Sequence, residues 1–282
     1  IVNSDWSSDV CSSDLFYVTI FILKGETSML GKMEGFAIVT GSSRGIGAAM
    51  ITRCAQDGYD VLINHTTDSS KAAAEEVAEK CKSYGVKAIV VKADISKYDE
   101  AVAMVKAGVD AFGDKIAIVV GNAGTKNTLY FDELTYEDYF RVINVNAIGN
   151  INVVSAALPY MKSGSGGSII LISSVAGQKG SAKRVDYSAS KGCLTGFMKA
   201  LAQEVGKHNI RVNCIAPGRI MTDMLRATMK EMPEQFAAGV AAQPLQRVAE
   251  PEEIADAMWF LSHHPFITGI TLAVNGGMYI PT

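Results

Sequence analysis

The sequence is poor in the residues that build metal and disulfide frameworks. Its five cysteines, Cys11, Cys54, Cys81, Cys193 and Cys214, are odd in number and form no C-x-x-C pair. Its four histidines contain no H-E-x-x-H. A disulfide scaffold is therefore excluded, and no metal site is expected. An excess of one charge is lacking too. The formal net charge of −3 gives no electrostatic basis for binding nucleic acid or an anionic membrane. The apolar run Phe16 to Leu23 stops well short of the roughly 20 residues that cross a bilayer. It also lacks the basic segment that precedes a secretory signal core. Disorder needs few hydrophobic residues, and here they make up 48% of 282. The expectation is a reduced, soluble, cytoplasmic protein with ample area for a core.

The chain begins at Ile1, and Ser-Ser-Asp-Val at 7–10 is nearly repeated by Ser-Ser-Asp-Leu at 12–15. That repetition has the look of translated non-native sequence. Residues 1–32 are read as a non-native or disordered leader, with a true start near Met29 or Met33. Residues 33–282 are read as one domain.

From Gly35 onward, short apolar runs alternate with amphipathic segments. Strands are expected at 36–40, 60–64, 87–92, 115–120, 168–173, 210–215 and 270–274. Helices are expected at 45–57, 69–83, 98–112, 136–161 and 187–207, and from Pro251 onward. Strands that are apolar throughout and alternate with helices imply a parallel sheet covered on both faces. Right-handed crossovers then give a doubly wound, seven-stranded α/β Rossmann fold. Its ligands bind at the carboxyl ends of the strands. Residues 217–249 form the one long irregular stretch, the expected position of a lid.

Thr40-Gly-Ser-Ser-Arg-Gly-Ile-Gly47 closes the first strand and opens the first helix. Gly41, Gly45 and Gly47 permit a tight turn and a close approach to a pyrophosphate at a helix N-terminus. The spacing is G-x-x-x-G-x-G. Further motifs follow in order: Asp94-Ile95 after strand three, Asn122-Ala-Gly124 after strand four, and Asn146 in Val-Asn-Val-Asn-Ala. Ser174 lies in Ile-Ser-Ser-Val-Ala-Gly, Tyr187 and Lys191 in Tyr-Ser-Ala-Ser-Lys, and Pro217-Gly218 after strand six.

In this combination the chain, over about residues 33–280, resembles the short-chain dehydrogenase/reductase family. The resemblance implies an enzyme that binds NAD(P)(H) through Gly41, Ser43, Arg44, Gly45, Ile46, Gly47, Asn64, Asp94, Ile95, Asn122, Ala123 and Gly124. Tyr187, Lys191, Pro217, Gly218 and Thr222 complete that expected set. Strand two ends at Asn64 with no carboxylate for a ribose 2′-hydroxyl, and Arg44 suits a 2′-phosphate. NADP(H) is therefore the preferred cofactor, with NAD(H) open.

Tyr187 and Lys191 are four residues apart and share a helix face. An ammonium beside a phenol lowers its pKa. Tyr187 is thus the expected proton donor and acceptor for a ketone and its secondary alcohol. The resemblance assigns Ser174 to the substrate oxygen, Lys191 to the nicotinamide ribose, and Asn146 to a water relay. Ser173 and Asn144 compete with Ser174 and Asn146; the motif positions favour the latter two.

Overall similarity is greatest to bacterial 3-oxoacyl-[acyl-carrier-protein] reductases, whose relatives assemble as tetramers through the 136–161 and Tyr/Lys helices. The arginines that such reductases use to dock the acidic carrier are replaced here by Ser165 and His208. Lys162 and Lys207 are near in sequence, so acyl carrier protein remains an open partner. Hydroxysteroid and other bulky or sugar alcohols are the alternative substrates, and a non-catalytic dinucleotide sensor is a remote one. Met221, Met224, Met229 and Met232 suggest an apolar substrate body. Lys179, Lys183 and Arg184 suggest attraction of an anionic group. His263-His264 is expected to complement a helix C-terminus.

Overall fold

The computed structural model describes residues 33–280. The leader, the apolar run at 16–23 and Cys11 lie outside the described residues. Seven strands, β1 (Phe36–Val39), β2 (Val61–His65), β3 (Ala88–Lys92), β4 (Ile116–Gly121), β5 (Gly167–Ile172), β6 (Ile210–Pro217) and β7 (Thr271–Val274), form one sheet. Its order is β3-β2-β1-β4-β5-β6-β7, and every pairing is parallel. The doubly wound expectation holds. Successive side chains of β1 show why: Phe36 and Ile38 enter one core, Ala37 and Val39 the other. With both faces buried, such a strand has no polar side to display.

The helices are α1 (Gly45–Gln56), α2 (Lys71–Lys82), α3 (Tyr98–Phe112), α4 (Tyr136–Ser163), α5 (Val175–Lys179), α6 (Val185–Val205), α7 (Asp223–Glu231), α8 (Pro233–Ala241) and α9 (Pro251–His263). Thr135 and Asp138 form the expected capping box of α4. Length and hydropathy alone would let α4 cross a membrane. Instead it packs on α3 and β4. It also widens into a π-helical turn over Asn144–Gly149, which no hydrophobic period announces.

The stretch 217–249 departs from expectation, for it holds α7 and α8. Thr222 caps α7 by accepting from the Leu225 amide, and Pro233 sits in the first turn of α8. Both helices are short and bury almost nothing, α7 only Thr228 and α8 no residue. They lack the apolar stripe that makes a helix visible in sequence.

The carboxyl end of α9 differs as well. His263 is buried against Tyr59 and Trp259, and burial pushes its pKa down. Its Nδ1 bonds the Trp259 carbonyl at 2.9 Å, and its Nε2 meets the Tyr59 hydroxyl at 3.2 Å. The charge at this helix end comes from Arg211 on β6, which donates to the carbonyls of Leu261 (2.6 Å) and Ser262. Two orphan carbonyls are thereby satisfied. Replacing Arg211 with Met should lower unfolding free energy by about 2–3 kcal/mol in urea titration, with dinucleotide affinity unchanged.

Candidate active site

The order of strands reverses between β1 and β4, and the carboxyl ends of the strands there must diverge. A cleft of about 1220 Å³ opens at that point, along the ends of β1, β2, β4, β5 and β6. Thr40, fully buried, ties its floor together. Its Oγ1 donates to Asn150 Oδ1 (2.7 Å) and accepts from the amides of Asn122 (2.8 Å) and Ala123 (2.9 Å). Asn122 returns a bond to the Thr40 carbonyl at 2.9 Å.

The glycine loop lies on this floor. Gly41 and Gly45 have φ of +61° and +56°, a left-handed backbone that side chains resist. A Cβ on Gly47 would lie against the Gly41 carbonyl and 2.7 Å from Asn122 Nδ2. The loop delivers Arg44, exposed, to the N-cap of α1, which has no side-chain cap and no acid in its first turn. Its free amides and positive dipole end therefore face the cleft. Ser43, Ile46, Ala123, Gly124, Pro217, Gly218 and Thr222 also line it.

Asn64, Asp94 and Ile95 do not line the cleft. Asn64 is fully buried beneath the loop. Its Oδ1 accepts from the Gly41 amide (3.0 Å), and its Nδ2 donates to the Ala93 carbonyl (3.1 Å). It sets the loop's position from below. Asp94 is turned onto Ser96, accepting from that amide (3.1 Å) and hydroxyl (2.7 Å). Ile95 packs under Gly149. In their place His65, Thr66, Thr67 and Ser70 line the wall beyond β2. The sequence reading passed over them, although their position at a strand's carboxyl end was the available signal.

The Tyr/Lys pair is on α6. The Lys191 ammonium is buried and donates to the Ile172 carbonyl at 2.7 Å, and lies 5.8 Å from the Tyr187 ring centroid. Burial pushes Lys191 down to about 8. Burial also raises the Tyr187 phenol, with the Ser174 side chain and then the charge of Arg184 opposing it. The phenol is thus raised rather than lowered as expected, and the groups that oppose desolvation are Ser174 and Arg184, not Lys191. Ser174 caps α5, accepting from the Ala176 amide at 3.1 Å. Ser173 also lines the cleft, but its hydroxyl is committed to the Lys191 carbonyl, to which it donates at 2.8 Å.

Asn146 sits in the π turn of α4 and outside the cleft lining. Its Oδ1 accepts from the Thr125 amide (2.7 Å), while its Nδ2 donates to the Thr125 carbonyl (2.8 Å) and Ser190 Oγ (3.0 Å). Both amide hydrogens are thus used within the protein. A Cβ on Gly124 would meet Asn146 Oδ1 at 3.2 Å and Lys191 Nζ at 3.5 Å. Asn146 and Lys191 are therefore close neighbours across a residue without a side chain. Asn144 takes no part in this network. No cluster of three metal-ligating side chains occurs among the described residues.

Residues 35–233 match the model of the family described as short chain dehydrogenase. A 3-oxoacyl-[acyl-carrier-protein] reductase of Staphylococcus aureus is 36% identical over 251 residues, covering 88% of this chain and 100% of its own. Its counterpart from Chlamydia muridarum is 40% identical over 245 residues, covering 86% and 96%. Among solved structures, a blue fluorescent protein from a metagenomic library, in complex with NADPH, superposes with a TM-score of 0.82 at 32% identity, over 88% of this chain and 99% of its own. A short-chain dehydrogenase/reductase from Burkholderia xenovorans gives 0.79 at 31% identity, over 86% and 97%. With the glycine loop, the Ser174–Tyr187 pair and Lys191 around one cleft, these matches make this chain a member of the short-chain dehydrogenase/reductase family.

Proposed function

We propose that the protein is an NADP(H)-dependent ketoreductase that interconverts a ketone and a secondary alcohol, with 3-oxoacyl thioesters as the leading substrate class. The observation that carries the reading is Ser174 and Tyr187 lining one cleft beside buried Lys191, in the same cleft as the N-terminus of α1. The names of the curated relatives point to 3-oxoacyl substrates, and one structural neighbour holds NADPH.

The residues present fit a dinucleotide. Gly47 leaves room only for backbone, and the amides of α1 suit a pyrophosphate. No acid stands beyond β2 in the cleft lining; His65, Thr66, Thr67 and Ser70 are there, with Arg44 at the loop. That setting suits a 2′-phosphate. When bound, the nicotinamide supplies the hydride. Tyr187 gives its phenolic proton to the substrate oxygen, and Ser174 orients that oxygen by a hydrogen bond. Lys191 holds positive charge near the phenol, anchored by the Ile172 carbonyl. Asn146 positions the Gly124–Thr125 wall against Lys191.

Helices α7 and α8 form the lid of the site. Met224, Met232 and Phe236 line the cleft, whereas Met221 and Met229 do not. The reading includes a cytoplasmic location, in keeping with the free cysteines Cys54, Cys81, Cys193 and Cys214. It also includes tetramer assembly through α4 and α6, supported by exposed Phe140, Ile148 and Val185 on these helices.

Tyr187→Phe should lower kcat with an acetoacetyl thioester by about 10²–10⁴-fold. NADPH binding, followed by nicotinamide fluorescence, should survive; loss of binding would make Tyr187 structural. Arg44→Ala should weaken NADPH binding by about ten-fold or more and NADH binding far less. Equal losses would remove the basis for an NADP(H) preference.

A further inference from the structure

The substrate end of the cleft holds positive charge without matching acid. Lys126, Arg141, Lys179, Lys183, Arg184 and Arg219 line it, and Asp223 is the single carboxylate in the lining. None of these six cations is in an ion pair among the described residues. Their partners are neutral. Lys126 Nζ donates to Thr228 Oγ1 at 2.7 Å, and Arg219 to Gln243 Oε1 at 2.9 Å. Lys183 lies 4.5 Å from the ring centroid of Tyr130. Arg184, at the N-cap of α6 and three residues before Tyr187, makes no side-chain hydrogen bond or ion pair among the described residues.

Arg184 is close to the others. Its charge opposes the ionisation of both Lys126 and Arg219, adding to their burial, and it also reaches the Tyr187 phenol. Glu231 acts on Lys126 in the opposite sense, but less than burial and Arg184. Half-buried like charges without counter-ions oppose one another, and a bound anion relieves that repulsion. The lid wall of the same cleft is apolar, with Met224, Leu225, Met232 and Phe236.

Resting on the ketoreductase reading, we propose that the substrate is a ketone bearing an anionic group, held by Arg184, Lys126 and Arg219, with its apolar body against Met224, Met232 and Phe236. That group is either the carboxylate of a free oxo acid or the phosphate of a pantetheine-type thioester. Arg184 is the determinant because it joins the cation cluster to the reacting end of the cleft.

The test is NADPH-dependent turnover of two matched pairs: 5-oxohexanoate with its methyl ester, and acetoacetyl-coenzyme A with acetoacetyl-N-acetylcysteamine. The charged member of at least one pair should be favoured by about ten-fold or more in kcat/KM, and which pair identifies the anion. Arg184→Gln, or Lys126→Gln if the first variant does not fold, should bring that ratio to near unity. Lys199→Gln, the same charge change on the outer face of α6, should leave it alone. Equal use of both members in both pairs overturns the proposal, as does a preference that survives both cleft variants. If no ketone reacts, the ketoreductase reading falls, and calorimetry decides the anion separately. Binding of 5-oxohexanoate but not its ester, or of 4′-phosphopantetheine but not pantetheine, to the NADP⁺-loaded protein, lost in Arg184→Gln, upholds the proposal; binding of neither anion overturns it.

Discussion

The hydroxyl of Thr40 is the point on which the site depends. One buried oxygen donates to Asn150 on α4 and accepts from two amides after β4. Asn150 in turn donates to the carbonyls of Ala123 (2.9 Å) and Asn146 (2.8 Å). The end of β1, the Asn122–Gly124 turn and the π turn of α4 are thereby held as one unit. The glycine loop rests on this unit from one side and on Asn64 from the other. The Thr40–Asn150 and Asn150–Asn146 bonds at its centre are buried, where an unpaired group is costly, and the others are partly so.

The cleft also sets two opposing demands on charge. Burial favours neutral Tyr187 and weakens the proton hold of Lys191. The Ile172 carbonyl and the neighbouring Asn146 give Lys191 polar surroundings in return. At the other end of the cleft, six cations share the lining with one carboxylate, Asp223, and none of the six is ion-paired among the described residues. The protein thus keeps a proton on Tyr187 while leaving the surrounding wall positive, the setting in which a polarised carbonyl oxygen is best received.

Much of the architecture was legible in the chain itself. A run such as Gly-Ser-Ile-Ile-Leu-Ile on β5 is apolar enough that burial on both faces is its stable outcome, and strand–helix alternation then dictates parallel pairing. The glycine loop was legible because Gly41 and Gly45 occupy backbone conformations open to few other residues. The α5, α7 and α8 helices were not legible. Five to nine residues with little buried surface carry no periodic signal, and their caps and neighbours decide them.

Side-chain direction is where sequence alone stopped. Asn64 and His65 are adjacent on β2, so one must point beneath the loop and the other toward the cleft wall; only the register of the sheet says which. His263 reads as a cationic helix end, yet the packing of Tyr59 and Trp259 desolvates it and Arg211 from β6 supplies the charge. The clustering of Lys126, Arg184 and Arg219, separate in sequence, exists only after β4, α6 and β6 converge. By itself the sequence determined the strands and the longer helices, their parallel pairing and the chemistry on offer, because these follow from local period, backbone restriction and residue type. The tertiary structure decided which groups meet, which lose water and which keep a charge, because those depend on neighbours distant along the chain.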